Sequence, residues 1–405
     1  MLRLDALGAI TETPGMLTRR YLTPAHVAAM EQVQAWMRQV GLATRVDTLG
    51  TVIGRYEGRT AGAPVLLLGS HIDTVVDAGR YDGALGLVAA IVAVGELARR
   101  GERLTHAIEV VAFGDEEGVR FPTHLLTSRA LTGGIGLDDL EVCDRDGVSL
   151  REALRAAGGD ADAYRTCERV PEEIAACLEV HIEQGPVLQE KGLALGAVTA
   201  ISGATRMQVS VSGTAGHAGT VPMGSRRDAL VAAAEMVLAV EHVASSERDV
   251  VATVGRIEAR PGAPNVIPGR VEFSVDLRSP TDARRARSLE RQHEAFDEIA
   301  DRRGVQVHAV TQYQTPAVTL DERVIDAVDE AMRLCGHPAM QLPSGAGHDV
   351  MVLAKRWPAG MLFVRCKDGI SHNPTESITT ADADAAIRVL IEALRCLDRR
   401  FAAGT

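Results

Sequence analysis

The fold of this chain is decided by a stretch near its start, Val65-Leu66-Leu67-Leu68-Gly69-Ser70-His71-Ile72-Asp73-Thr74, which is followed by Tyr81-Asp82-Gly83. The apolar run at 65–68 is short enough for a buried strand, and the apolar run at 85–97 is long enough for a buried helix. His71 and Asp73 therefore lie where a strand ends, and Asp82 lies just before a helix begins. In open α/β sheets, this edge is where ligands bind.

The residue types at this strand end favour a metal site. Imidazole nitrogen is a common metal ligand, and a carboxylate such as that of Asp82 can bridge two cations. Asp73 follows His71 by two residues and can hold the imidazole ring from behind. The alternative interpretation is a polar strand end that binds no metal.

Two later apolar runs are also followed by residues whose side chains can ligate metal ions or exchange protons. The run at 107–113 leads into Gly114-Asp115-Glu116-Glu117-Gly118, and the run at 175–180 leads into His181-Ile182-Glu183-Gln184. Neighbouring side chains point in different directions, so one glutamate can ligate a metal while the other acts as a base. A solvated acidic turn and a structural histidine are the alternatives, and the repeated arrangement favours chemistry.

The middle of the chain has a different pattern. Residues 206–212 alternate as a half-exposed antiparallel strand does, and 213–219 form a flexible glycine-rich turn. Further strands are predicted at 250–257, 271–277 and 305–310, and helices at 227–243 and 281–302. This order indicates a compact α+β unit inserted in the chain. We therefore predict a discontinuous α/β catalytic domain at 1–205 and 317–405, with a lid domain at 206–316.

Composition excludes several classes of protein. The chain has 405 residues, 46% of them hydrophobic, which is typical of a globular protein with two domains. The net charge is −11 without a block of like charge, so we expect no nucleic-acid partner. No apolar run is long enough to span a membrane. The six cysteines form no Cys-x-x-Cys pair and residues 1–23 lack a signal core, so we expect a cytoplasmic protein.

The candidate ligands form one set of nitrogen and oxygen donors from five strand ends: His71, Asp82, Glu117, His181 and His372. The last of these follows a predicted strand at 361–365. The set contains no thiolate, which is typical of Zn²⁺, Mn²⁺ or Co²⁺ in a catalytic site. Five ligands with one bridging carboxylate suit two metal ions, about 3.5 Å apart.

The motifs that carry these residues resemble one family. They are Gly-Ser-His-Ile-Asp-Thr with Asp82-Gly83, Asp-Glu-Glu-Gly-Val-Arg-Phe-Pro (115–122), Val-His-Ile-Glu-Gln-Gly-Pro (180–186), Ala-Gly-His-Ala-Gly-Thr-Val-Pro-Met (215–223), Ser-Gly-Ala-Gly-His-Asp (344–349) and Ser-His-Asn-Pro (371–374). In this order, they are similar to the allantoate amidohydrolase and N-carbamoyl-L-amino-acid hydrolase branch of the peptidase-related di-metal amidohydrolases. The resemblance implies an aminopeptidase-like catalytic domain with an inserted lid and dimerisation domain. His181 favours this branch, because the peptidases of the wider family usually carry a carboxylate there.

The resemblance also implies the roles of the metal-site residues. His71 and His181 each ligate one metal, Asp82 bridges two Zn²⁺ or Mn²⁺ ions, and Glu117 and His372 complete the second site. Asp73 orients His71. Glu116 is the general base that takes a proton from water and delivers it to the leaving nitrogen.

In the predicted lid, the resemblance implies contacts with a small ureido carboxylate substrate. His217 would stabilise the oxyanion from the partner subunit of a homodimer. Asn265 and Arg278 match positions that hold the substrate carboxylate, although a turn and a surface salt bridge are their alternatives. Arg206 and Gln184 are further candidates for substrate contact.

The predicted activity is hydrolysis of a ureido C–N bond, with allantoate as substrate, in purine breakdown. Ammonia and carbon dioxide would be released. The segments 199–206 and 360–374 resemble allantoate amidohydrolases more than carbamoylases. The first alternative is an N-carbamoyl-L-amino-acid hydrolase, and the second is an aminoacylase or dipeptidase, against which His181 counts. A binding protein without turnover would lack Glu116 or a ligand, and the chain keeps them all.

Overall fold

A computed structural model of the chain describes residues 1–402. The α-helices are α1 Leu2–Gly8, α2 Pro24–Gln39, α3 Ala84–Arg99, α4 Leu126–Leu131, α5 Leu137–Leu140, α6 Leu150–Ala156, α7 Val187–Glu190, α8 Ala229–Ser245, α9 Asp282–Arg303, α10 Glu322–Leu334, α11 Val350–Leu353 and α12 Thr380–Ala402. The strands are β1 Ala43–Val46, β2 Val52–Tyr56, β3 Val65–His71, β4 Ala107–Phe113, β5 Ile174–Ile182, β6 Leu195–Ile201, β7 Gly203–Ser212, β8 Gly216–His217, β9 Val251–Thr253, β10 Ile257–Arg260, β11 Val266–Ile267, β12 Arg270–Ser279, β13 Gln306–Thr315, β14 Val318–Thr319, β15 Gln341–Ser344 and β16 Ala359–Val364.

The described chain divides into two compact units. The first unit contains residues 1–199, 320–342 and 346 to the end of the described chain, and the second contains 200–319 and 343–345. The second unit therefore interrupts the first in sequence.

The first unit is built on a mixed sheet with the strand order β1-β2-β4-β3-β5-β16-β6. Strands β4, β3, β5 and β16 run parallel, so their carboxyl ends lie at one edge. Every residue of β3 and β4 is buried, as their apolar runs predict. Helix α3 packs closely against this sheet, because a Cβ atom at Gly86 would lie only 1.9 Å from the carbonyl oxygen of Val180.

The ends of helix α2 follow the sequence signals. The Thr23 side chain accepts a hydrogen bond from the His26 N–H, and Pro24 occupies the first turn. Gly41 follows the helix with a φ of +90°, a backbone conformation that favours glycine.

The charged composition of the segment at 138–173 predicts surface helices and loops, but the segment contributes to an apolar core. Its short helices place Leu140, Leu150, Leu154 and Tyr164 in a second apolar cluster of the first unit. The cluster also receives Leu49. The hydrophobic periodicity of the sequence does not predict this core, because helices of only four and seven residues are too short to show it.

The second unit packs helices α8 and α9 on an antiparallel sheet with the order β10-β12-β7-β13. Met207, Val209 and Val211 of β7 are buried, which confirms the predicted alternation. Phe273 and Phe296 meet edge to face in the same core, with ring centroids 6.0 Å apart.

One segment of the second unit differs from its prediction. The turn expected at 213–219 contains the short strand β8, which pairs with β11 and brings Val266 opposite His217. The pairing is between distant segments, so local sequence does not indicate it.

Among the helices of residues 1–402, none combines the length and the apolar character that crossing a membrane requires.

We predict that Asp398→Asn destabilises the first unit in a pH-dependent way. The Asp398 carboxylate accepts the N–H groups of Thr105 and His106 at 3.0 and 2.9 Å, and it contacts His106 Nδ1 at 2.7 Å. Burial alone would raise the pKa of Asp398, but these contacts lower it to about 2. The stabilisation is therefore complete above the ordinary pKa and is lost as the pH falls towards 2.

At pH 7, the variant should lose about 1 to 2 kcal/mol of unfolding free energy in a urea titration. The deficit should shrink between pH 4 and pH 2, which are about the ordinary and the lowered pKa. Asp384→Asn is the matched control, because Asp384 lies exposed on the same helix α12. A deficit that does not change with pH would contradict the assignment.

Candidate active site

The parallel strands place the predicted ligands at one edge of the first unit. His71 ends β3 and lies opposite Phe113 of β4, while His181 in β5 lies opposite Phe363 of β16. The loops after β4 and β16 carry the glutamate pair and His372. Parallel pairing in register therefore brings together side chains from five places in the sequence.

The buried carboxylate of Asp82 is the centre of this edge. Its Oδ1 lies 3.3 Å from His71 Nε2 and 3.1 Å from His181 Nε2. Its Oδ2 lies 3.3 Å from His372 Nε2, and Glu117 Oε1 lies 3.6 Å from the same nitrogen. The two oxygens of Asp82 thus face different groups of donors.

These donors fit metal ions by their chemistry and spacing. His71, Asp82 and His181 form one group, and Asp82, Glu117 and His372 form another, with the donor atoms of each group within 4.8 Å of one another. Bonds of about 2.0–2.1 Å in a tetrahedral arrangement separate zinc ligands by about 3.3 Å. Both groups therefore suit a divalent ion, and Asp82 belongs to both.

Backbone carbonyls orient the two buried histidines. His71 Nδ1 lies 3.0 Å from the carbonyl oxygen of Asp73, and His181 Nδ1 lies 2.9 Å from that of Ile182. A ring nitrogen that contacts a carbonyl oxygen must carry the proton, which leaves the lone pair on Nε2. His181 Nε2 also accepts the Gly83 N–H at 3.2 Å, which agrees with this tautomer.

The Asp73 carboxylate has a different position from the one expected. It lies 3.9 Å from His71 Nδ1, and its two oxygens accept the N–H groups of Glu116 and Glu117 at 3.2 Å each. Asp73 therefore contacts His71 through its main chain and holds the glutamate loop through its side chain. The reason is geometric, since the turn after β3 brings the carbonyl closer to the ring than the carboxylate.

The glutamate pair lies in a strongly acidic environment. Burial raises the pKa of Glu117 to about 7, and the negative charge of Asp82 adds to the shift. Burial also raises the pKa of Glu116 well above its usual range. Glu116 Oε2 lies 4.0 Å from His71 Nε2, next to the first donor group. A bound cation would offset the cost of keeping these carboxylates ionised.

Three polar side chains support the donors. Gln184 Nε2 donates to Asp82 Oδ2 at 2.8 Å, so the residue predicted to contact substrate contacts a candidate metal ligand. Ser371 donates to the same oxygen at 2.7 Å and contacts Glu376. The sequence does not predict the contacts of Ser371 and Glu376, for which proximity to His372 in the chain was the signal.

His348 also lies at this site. Its buried ring meets that of His181 edge to face, with centroids 4.5 Å apart, and it contacts Phe363 on another side. The ring therefore limits the movement of His181.

The remaining predicted residues lie in the second unit. Arg278 holds Asp276 with two nitrogens, Nε at 2.8 Å and Nη2 at 3.2 Å, and its Nη1 donates to the Gly345 carbonyl at 2.8 Å. Arg206 donates to Asp276 at 2.9 Å and lies over the Tyr313 ring. Two guanidinium groups thus share one carboxylate, which leaves one positive charge to attract an anion.

His217 and Asn265 meet at the small β8–β11 sheet. The Ala218 N–H donates to the Asn265 carbonyl at 3.0 Å, and His217 Nδ1 accepts the Gly219 N–H at 3.0 Å. The second contact leaves the His217 proton on Nε2, which is then a hydrogen-bond donor. The His217 side chain is exposed in the described chain.

Comparisons with known proteins agree on one family. The model of Peptidase family M20/M25/M40 matches residues 67–395. The chain is 39% identical to the allantoate deiminase of Arabidopsis thaliana, over 97% of this chain and 81% of the relative. It is 40% identical to the N-carbamoyl-L-amino acid amidohydrolase of Geobacillus stearothermophilus, over 96% of this chain and 95% of the relative.

A solved structure gives the same answer at the level of the fold. It is an amidase of the hydantoinase/carbamoylase family from Burkholderia multivorans, with a TM-score of 0.91 and 34% identity. The similarity covers 97% of this chain and 95% of that chain.

We predict that the two donor groups can be removed separately. We expect the parent protein to bind two equivalents of Zn²⁺, and His372→Ala should leave one of them tightly bound, because the group with His71 and His181 stays intact. Asp82→Ala should bind neither ion tightly, because Asp82 belongs to both groups. Metal content after dialysis and isothermal titration would measure both effects.

His242→Ala is the control, because His242 is an exposed histidine on helix α8. Its metal content should equal that of the parent protein. Loss of both ions in His372→Ala, with the fold intact, would contradict two separable donor groups.

Proposed function

This chain belongs to Peptidase family M20/M25/M40, and we propose that it hydrolyses a ureido C–N bond with two divalent metal ions. Membership confirms the predicted family relationship, the α/β fold class and the prediction of an enzyme that hydrolyses C–N bonds. The observation that carries the proposal is the buried Asp82 carboxylate with a different donor group on each oxygen.

We propose allantoate as the substrate, with ammonia and carbon dioxide among the products. Similarity to the Arabidopsis thaliana allantoate deiminase over almost the whole chain supports this choice. A role in purine breakdown would follow from it.

The second candidate substrate is an N-carbamoyl-L-amino acid. The 40% identity to the Geobacillus stearothermophilus N-carbamoyl-L-amino acid amidohydrolase over 96% of this chain supports it. Both substrates combine a ureido group with a carboxylate, so the same site chemistry serves either.

The metal ions would be Zn²⁺ or Mn²⁺, held by His71, Asp82 and His181 in one group and by Asp82, Glu117 and His372 in the other. When bound, they would polarise the ureido carbonyl and lower the pKa of water. The backbone contacts of His71 and His181 keep Nε2 directed at the donor group.

Glu116 is proposed as the general base. It takes a proton from the attacking water and gives it to the leaving nitrogen, which would otherwise depart as a strongly basic anion. Burial raises the pKa of Glu116 well above its usual range, and a bound cation would offset part of this shift. Asp73 positions this residue by accepting its N–H.

His217 is proposed to stabilise the oxyanion through Nε2, the nitrogen that its contact with Gly219 leaves protonated. We further propose that the protein is a homodimer in which His217 of the partner subunit supplies this contact. Arg278 would bind the substrate carboxylate, and Arg206, Asn265 and Gln184 would assist. Asp276 holds both guanidinium groups in place for that contact.

The first experiment compares ammonia release from allantoate and from N-carbamoyl-L-amino acids by protein loaded with Mn²⁺ or Zn²⁺. Release from allantoate alone is the expected result, and chelated protein is the control. Release from the carbamoyl amino acids alone would replace allantoate by the second candidate. Release from neither, with two ions bound, would contradict the proposed reaction.

We predict that Glu116→Gln and Glu117→Gln fail differently. Glu116→Gln should lower kcat by at least about 10²- to 10⁴-fold, because an amide cannot accept the proton, and should still bind two ions. Glu117→Gln should bind the second ion much more weakly, because it replaces an anionic donor of the second group by a neutral amide oxygen. Metal content and ammonia release measured on the same samples distinguish these outcomes. Loss of metal in Glu116→Gln would overturn its assignment as the base.

A further inference from the structure

We propose that Glu376 is a positioning residue that fastens the loop carrying Asp82 to the loop carrying His372. In this role, Glu376 would set the distance between the two donor groups. The inference rests on the two-metal site of the proposed function, but not on the identity of the substrate.

The contacts of Glu376 connect the two loops directly. Its Oε1 accepts the N–H groups of Tyr81 and Asp82 at 2.7 and 3.1 Å. Its Oε2 lies 2.9 Å from the Ser371 hydroxyl oxygen. Glu376 is only 4% exposed, so these contacts are shielded from water. Glu376 is separated in sequence from Tyr81 by 295 residues and from Asp82 by 294 residues. One carboxylate thus joins two distant segments of the chain.

Ser371 extends the connection to the Asp82 side chain. Its hydroxyl lies 2.7 Å from Asp82 Oδ2, the oxygen that faces His372. Asp82 is therefore fixed at its backbone by Glu376 and at its carboxylate by Ser371. The neighbouring His372 follows Ser371 in the chain and depends on the same loop.

The loop before Asp82 is shaped to receive Glu376. A Cβ atom at Gly79 would lie 2.3 Å from the Glu376 Cδ and 2.4 Å from its Oε1. Only a residue without a side chain allows this approach, because such distances are far shorter than van der Waals contact. The Glu376 side chain therefore packs directly against the backbone of the loop that carries Asp82.

His372 needs such support more than the other ligands do. Its backbone has a φ of +54°, a left-handed conformation that is strained for a residue other than glycine. Its side chain is 51% exposed, whereas those of His71 and His181 are nearly buried. Neighbouring packing therefore restrains His372 less, and the loop must hold it.

Glu376→Ala tests the proposal by metal binding alone. The alanine leaves the Tyr81 and Asp82 N–H groups without their acceptor, so the Asp82 and His372 loops should separate. We expect the second equivalent of Zn²⁺ or Co²⁺ to bind about 10- to 100-fold more weakly in isothermal titration, as for other groups that orient metal ligands. The visible spectrum of the Co²⁺ form should change in the same variant.

Glu376→Gln is the conservative variant. Its amide oxygen can accept both N–H groups, and its amide nitrogen can donate to the Ser371 oxygen, whose hydroxyl can still donate to Asp82. Because Glu376→Gln can keep the same number of hydrogen bonds, it should bind both equivalents of metal within a few-fold of the parent affinity. Equal losses in the glutamine and alanine variants would overturn the role described for these hydrogen bonds.

Glu183→Ala is the matched control at the same edge of the sheet. The buried Glu183 carboxylate also accepts two backbone N–H groups, from Val187 and Leu188 at 2.7 and 2.9 Å, but these belong to helix α7. Its metal binding should match that of the parent. A loss as large as that of Glu376→Ala would show a general loss of structure and overturn the proposal.

Thermal melting and circular dichroism establish that each variant is folded. If Glu376→Ala does not fold, Ser371→Ala tests the same connection by removing one hydroxyl, and it should also weaken the second equivalent. Parent-like binding of both equivalents by folded Glu376→Ala, or by Ser371→Ala in its place, would overturn the proposal. Failure of the proposed function has a different signature, namely two ions bound by the parent protein without hydrolysis of any ureido substrate.

Discussion

The site depends on burying the carboxylate of Asp82 among three imidazole rings. A buried carboxylate without partners is costly, and here both oxygens face ring nitrogens at 3.1 to 3.3 Å. Glu116 and Glu117 lie nearby, and burial, together with the negative charge around them, raises the pKa of both carboxyl groups. Divalent cations would satisfy all these groups together. The same charge that makes the edge costly for the fold therefore makes it suitable for metal ions.

Close packing around Asp82 requires two glycines. Gly83 has a φ of +64°, and a Cβ atom there would lie 2.6 Å from the His71 ring. Gly86, one turn later, lets helix α3 approach the carbonyl of Val180 in β5. The helix can thus begin directly behind the carboxylate, where the positive end of its dipole stabilises negative charge.

In the second unit, one carboxylate also holds two charged groups in place. Arg206 and Arg278 both contact Asp276, so one carboxylate orients two flexible side chains and neutralises half of their charge. An arginine held by two hydrogen bonds loses less freedom when it binds a ligand. This arrangement gives the proposed substrate carboxylate a prepared partner.

The sequence by itself determined most of the elements and the candidate donor residues, because apolar periodicity and strand-end residues are local features. The buried runs of β3 and β4, the caps of α2, the alternation of β7 and the donor residues are all recognisable in the printed chain. Only the tertiary structure decided that Asp73 holds the glutamate loop, that Gln184 contacts Asp82, that β8 pairs with β11 and that Glu376 reaches back to Tyr81. Each of these contacts joins segments distant in sequence, so their geometry depends on how strands and loops pack and leaves no periodic signal in the chain.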